Sequence, residues 1–159
     1  MVRYNMKKTF TITPFSNVGD IKFDSNREVV RKQLGKFVEF RKTRFSRNTT
    51  DDFGGFHVFY SVDNTVDAVE LFPIETIVIF GGQNLFTLNR NELVEIFSDT
   101  KLKEEDGYLS FESFGVEISM EDNIVTSILV HKRNYWRLLQ DNVHNKVNKD
   151  FGTCVSASH

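Results

Sequence analysis

Polar and apolar residues alternate strictly over residues 9–13, TFTIT. A period of two predicts a β-strand, and Pro14 directly after it predicts a strand that stops there, at the edge of a sheet. The period then changes. Ser25-Asn-Arg-Glu28 has the spacing of a capping box, in which the serine hydroxyl accepts from the glutamate amide while the glutamate carboxylate reaches back, so a helix is expected from this point. Val29, Val30 and Leu34 form its apolar face, and Gly35 suits a left-handed C-terminal stop. Residues 37–45, FVEFRKTRF, read as a strand, and residues 46–55, with Asp51-Asp52 and Gly54-Gly55, read as a loop. A hairpin follows, with residues 56–62 and 66–72 flanking Asp63-Asn64-Thr65, where asparagine tolerates positive φ.

A weaker copy of this order starts near Asn84. Residues 76–80, TIVIF, predict a buried strand broken by Gly81-Gly82, and Asn89-Arg-Asn-Glu92 repeats the cap spacing ahead of Leu93, Val94, Ile96 and Phe97. An acidic loop at Glu104-Glu105-Asp106-Gly107 leads to strands over 108–112, 115–120 and 124–130, the last two joined at Asp122-Asn123. "YSVDNTVDAVELF" and "ISMEDNIVTSILVH" align on Asp-Asn with a one-residue gap. The shared order of cap, helix, glycine-broken strand and hairpin points to an internal duplication, residues 18–72 and 84–131. Trp136, Leu139, Val143 and Val147 then fall at helical spacing, which predicts a terminal helix over 133–148, with a tail over 151–159. The expected fold class is α+β: one domain over 1–150, in which two tandem helix-plus-antiparallel-meander repeats form a mainly antiparallel sheet packed against helices.

A strand-like I-x-F, a polar cap, the stretch REVVRKQLG and an antiparallel meander together resemble the repeat of the β-lactamase inhibitor protein. They also resemble the related unit in the small lipoprotein of the outer-membrane barrel-assembly machine. The resemblance spans about residues 18–131 and implies a concave surface that grips another protein, with no catalysis. The chain departs from both relatives in having no export signal, lipobox cysteine or disulfide, so neither their partners nor any functional residue carries over.

Composition fits one core-bearing domain. The chain has 159 residues, 16 of them Phe against 4 Tyr and 1 Trp, which predicts a phenylalanine-rich interior. Its one cysteine, Cys154, excludes a disulfide framework and a thiolate zinc site, which fits a reducing, cytoplasmic compartment. No apolar run reaches the ~18 residues of a membrane span.

The net charge of −2 conceals a division. Residues 27–47 hold eight basic and two acidic side chains, and residues 48–131 hold sixteen acidic and three basic ones, giving +6 and −13. An acidic field repels nucleic acid and speeds encounter with a cationic partner. The basic stretch KFVEFRKTRFSR does not gather its cations on one strand face, so pairing with acids across the sheet is expected of it rather than phosphate binding.

Candidate chemistry is sparse. His57, His131, His144 and His159 form no zinc-binding pair, Gly81-Gly82 is no phosphate loop, and the acidic pairs lack calcium-loop spacing. No cofactor, metal or catalytic residue is expected. The reading is a non-catalytic protein-binding module, an immunity or inhibitor protein that masks a basic toxin or enzyme through Asp51, Asp52, Glu104, Glu105, Asp106, Glu117 and Trp136. The alternative is a small-ligand binder or enzyme using the cleft between the repeats, which needs a pocket with convergent polar groups.

Overall fold

The computed structural model describes residues 6–136. Chain order runs β1 (Lys8–Thr13), β2 (Asn17–Val18), β3 (Ile21–Lys22), α1 (Arg27–Leu34), β4 (Val38–Phe40), β5 (Thr50–Asp52), β6 (Phe56–Tyr60) and β7 (Val66–Leu71). It continues with β8 (Thr76–Phe80), β9 (Gln83–Asn84), α2 (Arg90–Phe97), β10 (Lys103–Glu105), β11 (Tyr108–Phe111), β12 (Val116–Glu121) and β13 (Ile124–His131). One-turn 3-10 helices lie at Leu85–Thr87 and Glu112–Phe114.

These elements correct the expected fold class. Strands take 44% of the described residues and helices 18%, and the strands form two sheets, of five and eight. The molecule is mostly β, not a pair of helix-plus-meander α+β repeats. Each α-helix has eight residues, about 12 Å at 1.5 Å per residue, too short to form a layer over an eight-stranded sheet. Much of that covering is done by the second sheet, in the order β3-β2-β1-β8-β9. Residues 9–13 accordingly do not lie at an edge: β1 is the middle strand, antiparallel to β2 and parallel to β8 with Lys8 opposite Thr76. The helix expected over 133–148 and the tail over 151–159 fall outside the described residues from position 137.

The large sheet runs β10-β11-β12-β13-β7-β6-β5-β4, two four-stranded meanders meeting at β13 and β7. Its register sorts side chains by face. One rung, Asp51, Val58, Val69, Val130, Val116 and Phe111, points to the core, with Glu39 exposed at its β4 end on the same face. The next rung, Val38, Asp52, His57, Glu70, Leu129, Glu117, Ser110 and Lys103, contributes one residue from every strand to the outer face.

Phenylalanine joins the two sheets, as the composition suggested. Phe10 of β1 meets Phe56 of β6 edge-on at 4.8 Å, and Phe97 of α2 lies flat between Phe80 of β8 at 4.5 Å and Phe111 of β11 at 4.1 Å. Fully burying such a ring contributes about 1.5–3 kcal/mol.

Candidate functional site

The seven residues chosen from the sequence go to three places. Asp51 is fully buried on the core face, which removes it from any partner surface. Its Oδ1 accepts from Arg27 Nη2 at 2.8 Å and Arg31 Nη2 at 2.8 Å, while Oδ2 accepts from Arg31 Nε at 2.7 Å. Burial works against the carboxylate, yet the bonds from Arg31 and Arg27 outweigh it and hold the group below the usual aspartate range. Arg27 also lies over the Tyr60 ring at 4.3 Å, and Arg31 reaches Glu39 at 2.7 Å. Two cations of the +6 segment, Arg27 and Arg31, are therefore spent fastening α1 to the sheet, and Lys42 pairs with Glu70 at 2.7 Å. Charge compensation between the +6 and −13 segments is internal at these positions.

Asp52 and Glu117 share the outer-face rung, four strands apart, or roughly 19 Å at 4.8 Å per strand. Asp52 lies 3.7 Å from His57, whose ring sits edge-on between Phe40 and Phe72. Burial, helped by Lys42, depresses the His57 pKa against the pull of Asp52 and Glu70.

Glu117 is only 3% exposed, and it is bonded to Trp136. Trp136 Nε1 donates to its Oε1 at 2.8 Å, and the Tyr108 hydroxyl donates to Oε2 at 2.6 Å. His131 Nε2 lies 3.2 Å from the same carboxylate, and its Nδ1 lies 2.9 Å from the Lys132 carbonyl oxygen. Burial pushes Glu117 toward the neutral form, but bonds from His131, Tyr108, Trp136 and Ser110 win and keep it ionised below the ordinary glutamate range. This carboxylate is a fastening point, with no free lone pairs turned outward for a partner.

Glu104, Glu105 and Asp106 form the third group, at the free edge of the large sheet. The expected acidic loop is in part a strand, since Glu104 and Glu105 belong to β10 and pair with Leu109 and Tyr108. Gly107, at φ 72°, completes the tight turn, where Met120 N donates to its carbonyl at 2.8 Å. In an up-and-down meander alternate turns fall at the same end, so the β12–β13 turn, Asp122-Asn123 with φ of 51° and 62°, comes to lie beside it. Between the two turns is an open groove of about 850 Å³ lined by Glu104, Glu105, Asp106, Tyr108, Glu121 and Asp122, with Arg90 at one wall.

Arg90 is engaged by Glu104 through two bonds of 2.5 Å, and its backbone N–H donates to Asn123 Oδ1 at 3.0 Å. Glu105, Asp106, Glu121 and Asp122 have no cation within ion-pair distance among the described residues, and all four are exposed. Four uncompensated carboxylates at one end of the sheet form a site suited to a cationic surface. Glu121 and Asp122 were missed in the sequence because they looked like turn residues. The signal that could have found them is the meander rule, which brings the 106–107 and 122–123 turns together.

Chemistry of other kinds is not assembled there. Among the described residues no group of three or more His, Cys, Asp or Glu side chains could hold a metal ion, and no helix is long and apolar enough to cross a membrane. No family model, curated protein or solved structure gives a significant match to the chain.

Proposed function

We propose that the chain is a non-catalytic protein-binding module whose acidic groove receives a basic surface of another protein. A toxin or enzyme masked in the manner of an immunity or inhibitor protein is the form of partner that fits. The observation that carries this reading is the convergence of Glu105, Asp106, Glu121 and Asp122 on one groove with no cation among the described residues to offset them. Like charges held together repel one another and destabilise the compact state, while Arg27, Arg31 and Lys42 are each compensated elsewhere. With the tandem-repeat fold class corrected, charge geometry supports the reading, and the fold does not.

The site differs from the one expected. Asp51 and Glu117 act inside the molecule, Trp136 is committed to Glu117, and Glu104 is tied to Arg90. The groove's binding charge therefore rests on Glu105, Asp106, Glu121 and Asp122. Reversing these four to lysine gives the control for capture experiments from the native host. Capture of a basic protein by the wild type and not by the reversed variant is the expected result. Capture of the same proteins by both forms, or of an acidic protein by the wild type, rejects the reading.

A further inference from the structure

The opposite end of the same meander brings two cations, Lys101 and Arg133, to one cleft. There the β1–β2 turn, the approach to β10, the β11–β12 connection and the chain after β13 enclose a cleft of about 470 Å³, lined by Phe15, Lys101, Ser113, Arg133, Tyr135 and Trp136. We propose that this cleft binds a small anion carried on a planar ring, a phosphate or carboxylate attached to an aromatic or heteroaromatic group.

Two cations converge on the cleft with no salt bridge to any described carboxylate. The Arg133 guanidinium lies over the Phe15 ring at 4.1 Å, a contact that fixes its plane and leaves its donors unspent, and Lys101 is exposed. Glu112 also borders the cleft, but it is paired with Lys103 at 3.3 Å. Lys101 lies within electrostatic reach of Asp99, whose carboxylate accepts from Ser113, whereas Arg133, two residues beyond the −13 segment, has no such neighbour among the described residues, so the guanidinium is the group that selects an anion.

The aromatic walls are preset. Trp136 remains 43% exposed, while its indole N–H is held by Glu117 at 2.8 Å, so the ring is fixed and still presents area to a ligand. Tyr135 stacks on His131 at 5.3 Å behind it. The backbone here is strained at Phe15, whose φ of 59° is one that residues with an aromatic side chain seldom adopt, while the φ of 62° at Asn134 is one that asparagine tolerates. A Cβ at Gly115 would meet the His131 carbonyl oxygen at 2.7 Å and Phe15 at 2.8 Å, so the cleft wall is closely fitted. This site is separate from the acidic groove, and either can fail without the other.

Trp136 is the chain's single tryptophan, so intrinsic fluorescence reads the cleft directly. The full chain is titrated with adenosine 5′-monophosphate, phenyl phosphate, inorganic phosphate and adenosine, with excitation at the red edge of the indole band. Expected is a saturable change with the two ring-bearing phosphates and binding about tenfold or more weaker for phosphate or adenosine alone, since each lacks one half of the recognition. Arg133→Gln and Lys101→Gln should each weaken the ring-bearing phosphates about tenfold, with the unfolding midpoint unchanged because both side chains are at the surface. A flat titration with all four probes overturns the proposal, as does unchanged affinity in both variants. Affinity for inorganic phosphate equal to that for the ring-bearing phosphates overturns the ring requirement and with it the proposal.

Discussion

At the scale of single residues, Phe111→Ala and Phe59→Ala remove the same ring from opposite faces of the large sheet. Phe111 and Phe59 both lie in apolar strands, yet Phe111 is fully buried against Phe97 and Phe59 is half-buried on the outer face beneath Lys42. One step along a strand reverses the face, and only the register decides it. Phe111→Ala should therefore cost about 3–5 kcal/mol in urea unfolding, and a loss below about 1 kcal/mol would place that ring elsewhere. Asp51 teaches the same lesson for charge. As half of an acidic pair in an expected loop it reads as surface, but pairing in β5 turns it inward onto Arg27 and Arg31, whereas Asp52 turns outward.

Replacing Asp51 by Ala leaves a buried guanidinium without its counter-charge, which should cost about 3–5 kcal/mol. The same pair sets a pH dependence. The folded pKa of Asp51 lies below its unfolded value of about 3.9, so its contribution is complete above that value and is lost as pH falls through the folded pKa. Asp51→Asn should remove the part of the acid destabilisation below about pH 4 that belongs to this residue, as read from urea midpoints at neutral and acid pH. An unchanged acid limb in the variant would contradict the pairing.

At the scale of elements, local hydrogen-bond chemistry was legible and long-range pairing was not. Asn89 is the N-cap of α2 as its spacing predicts, its side chain accepting from Glu92 N at 2.9 Å while Glu92 bonds back to the Asn89 backbone. In α1 the cap is Asn26 and not Ser25, with Asn26 Oδ1 accepting from Glu28 N at 2.9 Å, so the spacing located the helix but missed its first residue by one. Asparagine and serine are nearly equal as caps, which is why the sequence left the choice open. Asn89→Ala should cost about 1 kcal/mol in thermal or urea unfolding, and no measurable loss would mean that α2 is held by Leu93 and Phe97 alone.

Strand limits were misread where pairing depends on distant partners. The strand expected over 37–45 shortens to β4, and the loop expected over 46–55 contains β5, because β5 is stabilised by bonding to β4 and β6 rather than by its own polar sequence, TDD. The parallel pairing of β1 with β8, across more than sixty residues, leaves no local mark at all.

At the scale of the molecule, the sheet sorts charge by end. The acidic turns of β10–β11 and β12–β13 gather at one end, and Lys101 with Arg133 borders the cleft at the other. The −13 total follows from composition, but which acids are compensated does not, since Glu104, Glu117 and Asp51 find partners 14, 14 and 24 residues away along the chain.

The central claim is that Glu105, Asp106, Glu121 and Asp122 steer a basic partner onto the groove, and the direct measurement is the association rate constant with the captured partner as ionic strength is varied. Going from about 0.1 M to about 1 M salt shortens the screening length from ~10 Å to ~3 Å, which removes long-range steering while leaving contacts in place. The wild-type association rate should fall steeply over that range with little change in dissociation. The fourfold charge reversal should start slow and show no such fall. A wild-type rate that does not respond to salt, or a reversed variant that associates as fast as the wild type, would contradict it.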